Sequence, residues 1–356
     1  MNLELVKLRS QVVRLVRQYF DEQGFLEMFT PRLVGLPGQE PNLEPFWTSV
    51  EEAGGTKHEA ALITSPEYAM KRLLAGGLSK IYDLGPCFRN GEPWDGSHDP
   101  EFLLLEWYRR EADLEDILKD TEQMMKFVFD RCHPRESGDL GSIDSRLRGN
   151  DKRGGNGIKV PFRRLTVSQA MKQYAGVNLD ELLDHPDKLA EVVRAHCQTV
   201  DHKDSFDDLF FKIFLTEVEP KLGWNDDRTE ILPTFLTYYP VSMAALARRD
   251  PQDPHYALRS ELYAGDLELA NGFAELSDPT EQRARFLEER VERQKLHKKT
   301  WALDERFLSS LPDMGDAAGI AFGVDRLVML LAGTNSITDV LPFSARERFQ
   351  PEEERK

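Results

Sequence analysis

The sequence predicts an α+β fold in which an antiparallel sheet of about six or more strands is flanked by helices. Three observations carry this prediction. Residues 102–108 alternate as a ladder strand does, and residues 260–273 read as a hairpin turning near Gly265. Residues 5–20 place Leu5, Leu8, Val12, Leu15, Val16, Tyr19 and Phe20 on one helical stripe. The chain has 356 residues, 40% apolar and 30% charged, which suits a globular protein with a sizeable core. It is read as one domain, 1–356, carrying an insertion at 133–157.

The elements follow in order. After the first helix, Gly24 reads as a stop, and residues 25–29 as a strand ended by Thr30-Pro31. Residues 67–74 read as a helix. Residues 81–88 and 102–108 read as strands joined by a polar loop. Segment 133–157 has six glycines and only three aliphatic residues, so a flexible loop without chemistry is expected there. Helices follow at 182–196 and 206–218. Asp278-Pro279-Thr280-Glu281 is a helix start, with Asp as N-cap and Pro at the first position. The charged helix 281–299 is expected to be solvated on most of its surface. Residues 319–323 read as a short strand and 325–331 as a helix.

Charge and cysteines narrow the function. The net charge, 46 − 62 = −16, opposes binding to a phosphate backbone, so tRNA is an unlikely partner by charge. Cys87, Cys132 and Cys197 lie far apart without CxxC spacing, which excludes a disulfide framework and fits a reducing cytoplasm. No stretch approaches about 18 consecutive apolar residues, and the N-terminus lacks a signal-peptide pattern. No membrane partner is expected, and the expected location is cytoplasmic.

Three constellations could carry chemistry. Along 102–108, Phe102, Leu104, Glu106 and Tyr108 share one strand face; Leu103, Leu105 and Trp107 share the other. The apolar face must be core. The face that mixes aromatics with a carboxylate suits a ligand. Arg89, Glu92 and His98 precede it, and Arg grips phosphate or carboxylate through paired hydrogen bonds. Taken singly, such loop residues are usually solvated. Next, a turn at Ala264-Gly265 sets Glu261 and Glu268 directly opposite, whereas a turn at Gly265-Asp266 makes them diagonal neighbours. Either register puts both carboxylates on one face, where Mg²⁺ would relieve their repulsion. The alternative is two carboxylates splayed into water. Asn271 and Glu275 follow, with Gly272 expected to break the alternation and turn them toward one acidic cavity suited to a cationic substrate. Last, Gly323-Val-Asp-Arg326 places an arginine in the first turn of a helix, where anions are attracted.

Together these segments resemble the three motifs of class II aminoacyl-tRNA synthetases. Gly24 through Pro31 resembles the first motif. Phe88-Arg89 with His98-Asp-Pro-Glu-Phe102 and Leu105-Glu106 resembles the second, and Gly323-Val-Asp-Arg326-Leu-Val-Met-Leu the third. The Glu268-Leu-Ala-Asn271-Gly272-Phe273-Ala-Glu275-Leu segment points to the lysyl branch. Motif 1 begins at Gly24, leaving no room before it for an anticodon-binding barrel. That layout is similar to the elongation factor P–(R)-β-lysine ligases. Thr64-Ser65-Pro66-Glu67-Tyr68 matches them where the synthetase typically has Ala for Ser65, and Ala321 stands where the synthetase has a pocket glycine.

The resemblance implies an ATP-dependent, AMP-forming ligase that activates (R)-β-lysine and transfers it to a lysine amine of elongation factor P. It implies Arg89 and Arg326 as catalytic residues that grip phosphate, and Asn90, Glu92, His98 and Phe102 as further ATP contacts. Glu261 and Glu268 would hold Mg²⁺. Ser65, Glu67, Glu106, Tyr108, Asn271, Glu275 and Ala321 would line the amino-acid pocket, with Phe102 stacking adenine against Arg326. The first motif implies a two-fold homodimer. One departure is present: the family reads Phe-Arg-Asn-Glu, whereas this chain reads Phe88-Arg89-Asn90-Gly91-Glu92, displacing the acidic residue by one. The rival readings are a truncated lysyl-tRNA synthetase charging tRNA with α-lysine, and a synthetase-like regulatory module without catalysis.

Overall fold

The computed structural model describes residues 2–132, 158–196 and 199–350; the expected insertion at 133–157 lies outside the described residues. Eleven strands are present among them: β1 Leu26–Met28, β2 Leu33–Val34, β3 Trp47–Glu51, β4 Lys57–Leu62, β5 Lys80–Phe88, β6 Glu101–Arg110, β7 Arg163–Thr166, β8 Thr234–Pro240, β9 Tyr256–Ala264, β10 Leu267–Ala274 and β11 Ala317–Gly323. Eight form one sheet in the order β1-β5-β6-β11-β10-β9-β8-β7, and β2, β4 and β3 form a small second sheet. The six inner strands of the large sheet are antiparallel. At the two edges, β1 runs parallel to β5 and β7 parallel to β8. The expected antiparallel sheet is thus the centre of a mixed one.

The alternation along β6 decides which face is core. Leu105 and Trp107 pack with Tyr82, Phe322 and the apolar stripe Leu5, Leu8, Val12, Val16, Tyr19 and Phe20. That stripe belongs to the helix Leu3–Glu22, capped by the Asn2 side chain and followed by Gly24 at φ 74°. Helices Leu114–Cys132 and Val324–Ala332 complete this layer. Each large apolar side chain fully buried there contributes about 1.5–3 kcal/mol. The opposite face is partly covered by helices Glu67–Ala75 and Glu305–Met314, whose Met70, Leu74, Phe307 and Leu311 pack with Ile81 and Tyr108. This second face carries the site.

Several boundaries and surfaces differ from expectation. The helix expected from 182 begins at Pro186, because a proline suits the first helical position. The stretch 206–218 is an α-helix, Phe206–Ile213, continued by a π-helical turn, Phe214–Val218. The helix begun by Asp278 ends at Lys295 rather than 299, and its arginines are not all solvated. Arg285 donates to the carbonyls of Ala244 and Ala247, both at 2.7 Å. Arg293 donates to the carbonyls of Glu40 (2.9 Å) and Leu43 (2.8 Å) and pairs with Glu44 (2.7 Å). A guanidinium has five donors, so each one satisfies a loop that has no ladder of its own. No helix among the described residues is long and apolar enough to cross a membrane.

Candidate active site

Strand register assembles the site. Glu261 pairs with Asn271, Asn271 with Ala321, Ala321 with Glu106, and Glu106 with Asp83, so five side chains form one row across β9, β10, β11, β6 and β5. The next row is Arg259, Phe273, Gly319, Tyr108 and Ile81. The hairpin turns on Gly265-Asp266, since Ala264 pairs with Leu267, and Gly265 has φ 64°. Glu261 and Glu268 are therefore diagonal: Glu268 stands opposite Tyr263. The break in alternation is not at Gly272. A bulge between Glu268 and Ala270 adds one residue, so Glu268 and Asn271, three apart in sequence, face the same way. Gly272 stays within the regular ladder, paired with Ser260 and Ile320.

At one end of the rows lies a buried carboxylate cluster. Ser65 donates to Glu106 at 2.5 Å, Tyr108 donates to the other oxygen of Glu106 at 2.7 Å, and the Glu67 amide donates to Ser65 at 3.1 Å. Lys71 sits one helical turn beyond Glu67, with its ammonium 2.5 Å from Glu67 and 2.6 Å from Glu275. Burial and then the charge of Glu67 push Glu106 up to about 8. Burial likewise pushes Glu275 up to about 8, against the pull of Lys71. For Lys71 burial favours the neutral form, but Glu275 and Glu67 outweigh it and raise its pKa. Such an accumulation of acid in a closed space is favourable only where cations fill it. Gly319 makes the room: a Cβ there would lie far inside 3.0 Å of the Tyr108 ring and 2.7 Å from Glu275 Oε1. At the cluster's edge, Asp83 accepts from the Thr30 amide at 2.9 Å and pairs with Arg32.

At the other end the side chains are basic. Arg89 lies 5.0 Å from the Phe102 ring centroid, and its buried Nε has no partner. The guanidinium over Phe102 is that of Arg89. Arg326 instead donates to the Glu268 carbonyl at 2.7 Å and approaches His98 Nε2 at 3.3 Å. Burial and then Arg326 lower the His98 pKa, which favours the neutral ring. Glu92, despite its displacement in sequence, comes within 3.8 Å of His98. Asn90 is exposed; its amide bonds the Glu44 carbonyl at 2.7 Å.

Glu261 accepts from Tyr239, from Tyr263 (2.6 Å) and from Arg259 (2.5 Å), and Arg259 also donates to Asn271 at 3.0 Å. Burial and then Glu261 push Glu268 up to about 7, although Arg326, Arg259 and Arg89 pull it down. A cation beside Glu268 would remove that conflict, so the pair fits Mg²⁺. No group of three or more His, Cys, Asp or Glu among the described residues could hold a metal by itself. Mg²⁺ usually keeps waters and shares phosphate ligands, so two carboxylates are compatible with it.

The residues singled out from sequence come from β6, from β9, β10 and the residue just after it, from β11, from the segment Ser65–Glu67 and from the β5–β6 loop, except Arg326, which reaches in from the first turn of helix Val324–Ala332. Sequence reasoning missed Lys71, Arg259, Tyr239, Tyr263 and Gly319. A signal existed for Lys71, which is four residues from Glu67 in a helix, and for Arg259 and Tyr263, each two residues from Glu261 in a strand.

A synthetase-type catalytic face is what this sheet and its acidic and basic ends define. The family described as tRNA synthetases class II (D, K and N) matches residues 2–347, and the chain belongs to it. A lysine–tRNA ligase of Mycoplasmoides gallisepticum is 35% identical over 342 residues, 94% of this chain and 63% of that relative. Against that relative the chain spans less than two thirds of the length. An elongation factor P–(R)-β-lysine ligase of Avibacterium paragallinarum is 32% identical over 345 residues, 96% of each chain. One from Haemophilus influenzae is 34% identical over 338 residues, 94% of this chain and 93% of the relative. The relatives on both sides are named as ligases.

Proposed function

We propose that the chain activates (R)-β-lysine with ATP and passes it to a lysine amine of elongation factor P. The observation that carries the reading is the row Glu106–Ala321–Asn271 beside Ser65, Glu67 and Glu275. It is an acidic pocket for ammonium groups with a methyl group set into its floor. The Ala321 methyl occupies space that a glycine would leave open, and it obstructs an amine on the α-carbon more than one on the β-carbon. Identity of 32% and 34% to relatives named as β-lysine ligases supports the same reading.

In the first step the substrate carboxylate attacks the α-phosphorus and pyrophosphate leaves. In the second, an acceptor amine attacks the acyl carbon, AMP leaves and an amide forms. Neither step needs a side-chain nucleophile; positioning and charge neutralisation suffice. Arg89 would hold the α-phosphate and the substrate carboxylate. His98 and Arg326 would hold the distal phosphates, with Phe102, Asn90 and Glu92 around the adenine. Glu261 and Glu268 would hold Mg²⁺, which would neutralise phosphate charge. Glu67 with Ser65 would take the nearer amine; Tyr108, Asn271 and Glu275 the distal one, with Glu106 supporting both. A two-fold homodimer belongs to the same reading, since Leu26, Phe29 and Leu33 near the first motif stand exposed, Phe29 by 82%. Sedimentation at micromolar concentration checks it.

The experiment is ATP–pyrophosphate exchange with α-lysine and both β-lysine enantiomers side by side. Preference for a β-lysine supports the reading; preference for α-lysine overturns it.

A further inference from the structure

Lys71 has no part in the scheme above, yet it is 1% exposed in the middle of the acidic pocket. It is an uncommon place for an ammonium, since a buried lysine must be compensated. Its two partners come from different elements: Glu67 from the first turn of the helix that carries Lys71, and Glu275 from the chain just after β10. Lys71 approaches Oε1 of Glu67 and Oε2 of Glu275. Both oxygens of Glu275 are buried without a hydrogen bond: Oε2 has the ion pair with Lys71, and Oε1 lies beside the space that Gly319 leaves against Tyr108. The ammonium thus faces one oxygen of each carboxylate and leaves Oε1 of Glu275 for something else.

We propose that Lys71 is the positioning residue of the amine pocket: it clamps Glu67 and Glu275 by one oxygen each and so fixes the spacing of the two carboxylates that receive the substrate's two ammonium groups. This rests on the reading of the pocket as a diamino-acid site. Without the clamp, three carboxylates, Glu67, Glu106 and Glu275, repel one another, and no other ion pair among the described residues ties the helix Glu67–Ala75 to Glu275. A carboxylate misplaced by about 1 Å costs up to ~100-fold in binding or rate. The clamp therefore governs which spacing of amines is accepted.

The test measures ATP–pyrophosphate exchange by the full chain and by Lys71→Met and Lys71→Gln, with β-lysine, α-lysine and ornithine. In Lys71→Met, KM for the preferred amino acid should rise roughly 10–100-fold. KM for ATP should change by no more than about twofold, and the ranking of the three amino acids should flatten. Lys71→Gln keeps a donor for a carboxylate and should recover part of the loss. Unchanged amino-acid KM in Lys71→Met overturns the inference alone. So does a loss of Tm with both KM values and kcat degraded together, since that marks a residue of the core only. Failure of both variants to fold, or of Lys71→Gln to recover anything, overturns it as well. Wild-type enzyme that activates none of the three overturns the functional reading together with the inference.

Discussion

Replacing Ser65 by alanine should move the pH dependence of amino-acid binding upward. Ser65 donates to Glu106 at 2.5 Å, and a hydrogen bond to an ionised carboxylate is worth about 1.5–3 kcal/mol. One pKa unit is about 1.4 kcal/mol, so losing the bond should raise Glu106, already near 8, by a further ~1–2 units. Glu106 holds its proton in the folded protein at pH values where the unfolded chain has lost it. This group therefore makes stability fall as pH rises from about 4.5 to about 8, and in the variant the fall extends to ~9–10. An ammonium ligand needs the ionised form, so amino-acid KM should decrease as pH rises through about 8 in the wild type. In the variant the same decrease should come ~1–2 units later, leaving KM on the order of tenfold higher at pH 7.5. The assay is the pH profile of KM in ATP–pyrophosphate exchange, with KM for ATP as control. Superimposable profiles for the two proteins would refute the coupling of Ser65, Glu106 and the amine.

Three further outcomes follow from the same geometry. Gly319→Ala drives a methyl into the Tyr108 ring and toward Glu275, so overpacking of about 1–3 kcal/mol should lower Tm measurably and raise amino-acid KM; an unchanged melting curve contradicts the packing. Glu268→Gln should reduce exchange by about 100-fold or more while leaving the melting curve near wild type, because the amide cannot neutralise a shared cation; unchanged exchange refutes the Mg²⁺ assignment. Ala321→Gly should relax discrimination between β-lysine and α-lysine, by roughly 10–200-fold for one methyl in a pocket; an undiminished preference shows that the selectivity lies elsewhere.

The parts legible in the sequence were those with a local signature. Phe102, Leu104, Glu106 and Tyr108 could be assigned to one face because the period of a strand is two and the opposite face is wholly apolar. Glu261 and Glu268 were readable as partners, but not in register, because a turn at Gly265 can close with either neighbour and only the pairing of Ala264 with Leu267 decides between them. The bulge between Glu268 and Ala270 leaves no mark in composition, so Gly272 was misread as the break. Lys71 was unreadable as a clamp because its second partner, Glu275, lies far along the chain and meets it only once β10 docks beside β11 and β6. Arg285 and Arg293 looked solvated because their helix is charged throughout, and only tertiary structure shows carbonyls converging on them. The parallel edge strands β1 and β7, of three and four residues, are too short to show a period at all.

The acceptor distinguishes the proposed reaction as sharply as the amino acid does. The most direct measurement offers the enzyme ATP and labelled (R)-β-lysine with elongation factor P and lysine tRNA together, and follows the label. The label should appear on the factor, on a lysine side chain, with AMP released in step. Label that accumulates on the tRNA, with none on the factor, would contradict it.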